Sequence, residues 1–511
     1  MNISWIRALW LMVALCAISV TACGGDDKED APVFDFSQVK FSPAALLFEA
    51  EPSGTQQITV SGLGSKITEV SVRTDATWCS LTADPAHPGT YTVGCEANTS
   101  AEPRTCQVKI FHEGVAKVSM PVSQAGFAAP EPDDPVVPSK PENAASPLGL
   151  GWNLGNQMDA WSNEMASETV WGNPVATRQL FTAVKAAGFN SVRIPVTWLG
   201  KVGDAPDYKI DQAWLDRVAT LVGYAEDAGL KVVINIHHDG ADSAHWLDIK
   251  NAATNSATNE LVKAKLRAMW SQIATRFADK GDFLYFESMN EIHDGAWGWG
   301  DNRKNNKQYA TFNEWQQVFV DAVRAAGGNN ADRWVIVPTY CTNIDLGDHL
   351  VLPNDPAGKT IVAVHLYEPY EYTLEAKYDE WGHTGKSGQK PASNEATLVG
   401  EFNKILSKWI NKGIPAYIGE FGCVHRQNER GEAFRKYYLE YFCKAASDRN
   451  IPVVYWDNGS KSTGRESSGL FDRTTGAFVN NAAEIVAAMN KGYTTTDAAY
   501  TLESVYNSAP K

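Results

Sequence analysis

From Ser146 to Asn490 the chain alternates two hydrophobic patterns. Short, almost wholly apolar runs are followed by longer stretches in which apolar residues recur every three or four positions. The short runs read as strands buried on both faces, and the longer stretches as amphipathic helices. Asn173-Pro174 reads as the cap and first residue of one helix, which Gly188 closes. A second helix is expected from Asp211 to Ala228, ended by Gly229. Leu150-Gly151-Trp152-Asn153 is the first expected strand. The others are Val192–Ile194, Val232–Ile236, Phe283–Glu287, Trp334–Val337, Ile361–Val364, Ala416–Ile418 and Val453–Tyr455. Eight strands alternating with helices predict an α/β fold, a (β/α)8 TIM barrel. A doubly wound open sheet competes, but no Gly-rich dinucleotide fingerprint follows the first strand.

Residues 34–127 are patterned differently. Short β-type runs such as Gln57–Val60, Tyr91–Val93, Gln107–Phe111 and Lys117–Val122 are separated by Gly, Pro and Asn, as at Glu113-Gly114. They predict a small immunoglobulin-like β-sandwich. Trp78-Cys79-Ser80, Asn98, Arg104 and the closing Val122-Ser123-Gln124-Ala125-Gly126 resemble the BACON-type module found ahead of bacterial carbohydrate-active enzymes. Its sole Trp, Trp78, is expected in the core, so the module reads as a spacer. Residues 128–145 hold Pro130, Pro132, Pro135, Pro138 and Pro141 and read as a stiff linker. The barrel domain is expected over 146–505.

Residues 1–22 read as an export signal: Arg7, then the apolar run Ala8 to Val20, then small residues before Cys23. The run is too short to span a membrane comfortably. Val20-Thr21-Ala22-Cys23 resembles a bacterial lipobox, which implies cleavage before Cys23 and its acylation. Asp26-Asp27-Lys28-Glu29-Asp30, within a tether over 23–33, resembles a surface-export tag of Gram-negative lipoproteins. These resemblances imply an outer-membrane lipoprotein at the cell surface, touching the membrane only through its anchor.

Composition narrows the partners. A formal net charge of -15 argues against nucleic acid, which needs a basic face. It suits a neutral polymer, and the 17 Trp include rings suited to sugar faces. Cys79, Cys95, Cys106, Cys341, Cys423 and Cys443 match no zinc spacing and fix no disulfide pairing. No cofactor or metal is expected, and a monomer is the default.

The chemistry gathers at the strand ends, where a TIM barrel places its active site. Arg193 lies on strand two, His237-His238-Asp239 follows strand three and Met289-Asn290-Glu291 strand four. His365-Leu366-Tyr367 follows strand six, Glu420 strand seven and Trp456 strand eight. Polar groups at one rim of an apolar barrel are costly unless paired or used. Glycoside hydrolysis needs a carboxylic acid to protonate the leaving oxygen and a carboxylate at the anomeric carbon. Glu291 and Glu420, on strands four and seven, are the expected pair. A metal held by His237-His238-Asp239 is disfavoured, because adjacent strand side chains point to opposite faces.

The segments Gly151-Trp152-Asn153-Leu154-Gly155-Asn156, Val192-Arg193-Ile194-Pro195-Val196-Thr197-Trp198, Asn235-Ile236-His237-His238-Asp239, Asn290-Glu291 and Ile418-Gly419-Glu420-Phe421-Gly422 resemble glycoside hydrolase family five, and within it subfamily four. The resemblance runs through the whole barrel. It departs after Glu291, where Ile292 and His293 stand in place of the usual Pro. It implies a retaining double displacement, with Glu420 as nucleophile and Glu291 as acid and then base, their carboxyls about 5–5.5 Å apart. The charge of Glu420 is expected to raise the pKa of Glu291. Arg193 and Tyr367 would hold Glu420. Asn290 would bond the sugar 2-hydroxyl or Glu420, and His365 would orient the carboxylates. Asn156, His237, His238 and Trp456 would contact sugar, with Trp297 and Trp299 as leaving-side platforms and Trp161 and Trp246 as weaker candidates. The expected activity is an endo-β-1,4-glucanase on β-glucan, with xyloglucan favoured and cellulose-like or mixed-linkage glucan as the alternative. The rivals are a mannanase or exo-glucosidase, or a non-catalytic glycan-binding surface protein.

Overall fold

The computed structural model of the chain describes residues 34–52, 54–100, 102–126, 140–296 and 306–511. They fall into two compact units divided between Val136 and Val137.

In the first unit, strands β1 (Lys40–Ser42), β2 (Leu46–Phe48), β3 (Gln56–Ser61), β4 (Ser71–Thr74), β5 (Cys79–Ala83), β6 (Thr90–Cys95), β7 (Arg104–His112) and β8 (Val115–Gln124) build two sheets, ordered β1-β3-β6-β5 and β2-β8-β7-β4. Ile58 and Val93 of one sheet and Val108, Ile110 and Val122 of the other share one core. Trp78 is not inside it. The ring is half-buried, with the Arg104 guanidinium 4.3 Å from its centroid. Arg104 is held there by Gln124 Oε1, which accepts from its Nε at 2.8 Å, and by the carbonyl of Glu96. The core holds Phe41, Phe48 and Met120 beside its aliphatic side chains; Trp78 packs against its edge, with the cation over the indole face.

In the second unit, β9 (Leu150–Leu154) is followed by a small hairpin of β10 (Trp161–Ser162) and β11 (Met165–Ala166). Then come β12 (Ser191–Ile194), β13 (Lys231–Ile234), β14 (Leu284–Glu287), β15 (Val335–Pro338), β16 (Thr360–His365), β17 (Ala416–Phe421) and β18 (Val453–Asp457). Strands β12 to β18 and then β9 close a barrel in which each neighbouring pair is parallel. The eight expected strands are therefore the eight of a TIM barrel. Val233, Tyr285, Ile336, Ala363, Tyr417 and Val454 form an inner core with Ala145 and Leu148. The alternate residues, among them Val232, Phe286, Val335, Val362 and Val453, pack in the core shared with the helices.

Three expected boundaries move. The first helix begins at Arg178, not at Pro174. Asn173 caps nothing: its Nδ2 donates to the carbonyls of Asn156 and Asn458, tying two loops of the barrel mouth. The second helix, Gln212–Asp227, keeps its expected ends, with the Asp211 side chain accepting from the Trp214 amide and Gly229 at φ 73°. The barrel unit is also longer than 146–505. Asn143 Nδ2 donates to the carbonyls of Ala416 and Asn450, and Ala145 and Ala509 are buried.

Candidate active site

One buried cation draws its partners from three other strands and the loop after one of them. Asn153, Arg193, Val233 and Tyr285 lie in one lateral row of the barrel. Arg193 points inward, fully buried, and every donor group finds an acceptor. Nε donates to Glu287 Oε2 at 2.7 Å, Nη1 to Glu420 Oε1 at 2.7 Å and to Asn153 Oδ1 at 3.1 Å, and Nη2 to Asn290 Oδ1 at 2.7 Å. Burial works against its charge, but Glu287 and Glu420 more than offset this and raise its pKa. Glu287 Oε2 also accepts from Asn235 Nδ2 at 2.8 Å, and Oε1 from the Tyr417 hydroxyl at 2.5 Å. Burial, followed by the Glu287 charge, pushes the Tyr417 phenol far above its ordinary value, so it stays a donor.

Glu420 completes this cluster on β17. A register shift between β16 and β17 sets it opposite His365. Its Oε2 accepts from the Tyr367 hydroxyl at 3.1 Å. Burial and then the neighbouring Glu420 charge raise that phenol as well. Asn290 bonds Arg193 rather than Glu420, which fixes its amide with the oxygen toward the guanidinium.

Glu291 sits across from Glu420, and an oxygen of each lies within 4.8 Å of the other. His365 joins them: its Nδ1 is 2.6 Å from Glu291 Oε1 and 3.6 Å from Glu420 Oε2. Its Nε2 is buried and has no hydrogen-bond partner among the described residues. A buried N–H without an acceptor costs more than a bare lone pair here, which favours the tautomer that carries its proton on Nδ1 and donates it to Glu291. The expected upward shift of Glu291 is therefore not the direction in the free protein. Burial does push it up, but the hydrogen bond from His365 leads the influences that outweigh this and hold it low. Glu420 is raised, because burial outweighs the attraction of His365 and Arg193.

A cleft wall runs outward from this centre. Trp456 is half-buried at the end of β18, stacked on His237 at 5.8 Å with planes 6° apart. A Cβ at Gly155 would stand 2.9 Å from the indole, so only glycine lets the ring lie against that backbone. His237 meets His238 edge to face at 4.4 Å. Strand alternation does not separate them, because β13 has ended at Ile234 and a 3-10 turn begins at His238. Asp159, His237 and His238 consequently bring ligand-type atoms within 4.8 Å of one another, as do Glu291, His365 and Glu420. Asp159 already accepts the amides of Gln157 and Asn156, and burial lowers the His237 pKa well below its ordinary value. Asn156 turns the chain after β9 at φ 56°, its side chain half-exposed. Trp246 is tied by its Nε1 to buried Asp239.

Trp297, Trp299 and Cys23 lie outside the described residues. Sequence reasoning missed Glu287 and Asn153 as partners of Arg193, and Asn235 and Tyr417 as the donors that hold Glu287. A polar residue ending an apolar run was the available signal for Asn235 and Glu287. It also missed Trp171, whose ring is 41% exposed beside His238, at 5.5 Å, with its Nε1 fixed on the Trp161 carbonyl at 2.9 Å.

The barrel has well-matched relatives. The family model for cellulase (glycosyl hydrolase family 5) matches residues 155–462. Endoglucanase A of Paenibacillus barcinonensis is 37% identical over 346 residues, 64% of this chain and 84% of its own. The xyloglucan-specific endo-β-1,4-glucanase of Bacteroides ovatus is 32% identical over 510 residues, 95% of this chain and 96% of its own. Among solved structures, a broad-specificity endoglucanase from Bacteroides salanitronis is 58% identical with a TM-score of 0.68, covering 69% of this chain and 94% of that one.

Proposed function

This chain belongs to glycoside hydrolase family 5 as an endoglucanase, and from that premise we propose that it is a subfamily-four enzyme that cuts internal β-1,4 bonds of xyloglucan with retention, using Glu420 as nucleophile and Glu291 as acid and base. The observation that carries the mechanism is the carboxyl pair itself: oxygens within 4.8 Å, one anchored by Arg193 and Tyr367 and the other on His365. Retaining glycosidases keep their carboxyls about 5–5.5 Å apart, whereas inverting ones leave room for a water.

In the first step a Glu420 oxygen bonds to the anomeric carbon as the bond to the leaving oxygen breaks, and Glu291 gives its proton to that oxygen. In the second, Glu291 takes a proton from water, the hydroxyl bonds to the anomeric carbon and Glu420 departs. The first step needs the proton on Glu291, which His365 disfavours in the free protein. The Glu291 side chain is 22% exposed there against 7% for Glu420. A sugar covering that face removes its remaining water and raises its pKa toward the acid role. Ester formation then removes the Glu420 charge and turns Glu291 into a base.

Xyloglucan is favoured by the Bacteroides ovatus relative, which matches nearly the full length of this chain, sandwich included. A wider range of β-glucans is the second reading, favoured by the 58% identity to an enzyme described as broad in specificity. Initial rates and product sizes on xyloglucan, barley glucan and carboxymethylcellulose separate them. Long early fragments from xyloglucan alone support the first, and comparable rates on all three the second. No new reducing ends from any of them, or activity that survives Glu420→Ala, sinks both.

The N-terminal unit is read as a BACON-type spacer, since Arg104 covers the face of its one Trp. Retention of the isolated unit on xyloglucan would refute this. Anchoring through Cys23 at the outer membrane is part of the same proposal. Loss of membrane-fraction protein on Cys23→Ser tests it.

A further inference from the structure

The indole of Trp456 rests on a floor made of backbone. A Cβ placed at Gly155 would stand 2.9 Å from that indole and 2.9 Å from the Asp457 carbonyl oxygen, so the ring, the end of β9 and the end of β18 meet at one point. The Gly155 amide donates to the same carbonyl at 3.0 Å. A ring that takes the face of a sugar must hold its tilt, because a gap of roughly 0.5–1 Å forfeits about a quarter to a half of each contact.

Arg473 reaches this point from the loop after β18, where Phe471 and Phe478 bridge antiparallel on either side of it. It is buried. Its Nη2 donates to the Asp457 carbonyl at 2.6 Å, to the Gly155 carbonyl at 3.1 Å and to Asp457 Oδ1 at 3.2 Å. One nitrogen therefore ties together the two backbones beneath Trp456. The guanidinium carbon is 4.8 Å from the ring centroid of Trp152, whose Nε1 donates to Asp457 Oδ2 at 2.8 Å. The rest of the guanidinium is poorly matched. Nε and Nη1 are buried with no hydrogen-bond partner among the described residues. Burial also outweighs the charges of Asp457 and Asp159 and lowers the pKa of the side chain. A bare buried donor and a buried charge each cost stability. What this arginine supplies beyond packing is the tie made by Nη2.

We propose that Arg473 is a positioning residue for Trp456: its Nη2 fixes the backbones of Gly155 and Asp457 on which the indole rests, and so sets the tilt of the ring that takes the sugar. This rests on the reading of Trp456 as a sugar contact. Arg473 acts on substrate through that ring alone.

The test is a double-mutant cycle in the full chain, with kcat/KM read on a soluble β-glucan. Arg473→Met fills the space and loses the donors, Arg473→Lys keeps a charged donor, and Trp456→Ala removes the ring. Arg473→Met should lower kcat/KM about tenfold, and Arg473→Lys should recover part of the loss. Both limbs of the pH profile should stay in place, since the bonds of Arg473 go to neither catalytic carboxyl. In the Trp456→Ala background, Arg473→Met should cost no more than about twofold, because no ring is left to position. Any one of four results overturns the proposal: losses that multiply undiminished in the double variant, a pH limb that moves with Arg473→Met, Arg473→Lys no better than Arg473→Met, or full activity in Arg473→Met. Should Arg473→Met not fold, Arg473→Gln, too short to hold both carbonyls, takes its place in the cycle under the same criteria. Failure of the reading beneath it looks different: Trp456→Ala would then keep the kcat/KM of the unaltered chain.

Discussion

His365 Nδ1 stands 2.6 Å from Glu291 Oε1 and 3.6 Å from Glu420 Oε2, so one imidazole touches both carboxyls of the centre. Its donation lowers Glu291 against the upward push of burial. Removing it in His365→Ala should raise Glu291 and move the alkaline limb of kcat/KM to higher pH. The rate at the optimum should fall about 10- to 100-fold as Glu291 loses its orientation. A pH series on a soluble β-glucan reads both, and a limb that moves down would contradict this account of the pair.

Glu287 touches no expected substrate position, yet Arg193 depends on it. Arg193 is fully buried between Glu287 and Glu420. Removing one partner of a buried ion pair strands the other charge, at a cost of about 3–5 kcal/mol. Glu287→Ala should lower stability by about that amount in urea unfolding and abolish activity, because Glu420 loses its fixed donor. Glu287→Gln, which keeps the shape and one acceptor, should cost less.

Trp171 carries an exposed ring on the wall that Trp456, His237 and His238 build outward from the centre. A fixed, solvent-facing indole suits the apolar face of a sugar. In Trp171→Ala, KM for long cello-oligosaccharides should rise several-fold more than KM for an aryl cellobioside, and Trp171→Phe should recover part of the loss. Equal changes on long and short substrates would remove the ring from the sugar path.

Glu432, at the start of the helix Glu429–Asp448, gives a stability test remote from catalysis. Burial pushes its carboxyl up, but the nearby His425 ring, the Arg435 charge, the Arg426 backbone amide and the Asn481 side-chain amide bring it down to about 2. A depressed folded-state pKa contributes stability that is fully present above the unfolded value of about 4.3 and is lost as pH falls toward the folded one. Glu432→Gln should therefore destabilise the protein by roughly 2–3 kcal/mol at pH 7. The gap between the two proteins should close as the pH is lowered from about 5 to 2, read by denaturant midpoints.

The sequence alone determined the barrel, its strand order and the two carboxyls, because each follows from local pattern. A strand buried on both faces must be apolar along its run, so polar residues at its end or a few positions past it stand out, as Glu420 and Glu291 do. Only the tertiary structure decided the partners. Arg193 bonds Glu287 because the closed barrel turns both side chains inward, two strands apart and one inward-facing position further along, and Asn235 and Tyr417 reach the same carboxylate from β13's end and from β17. His237 and His238 meet because β13 ends early, a point the unbroken apolar run up to Asn235 did not mark. The direction of the Glu291 shift also needed the fold. Like charges on two acids predict a rise, and the imidazole that reverses it comes from a strand 74 residues away.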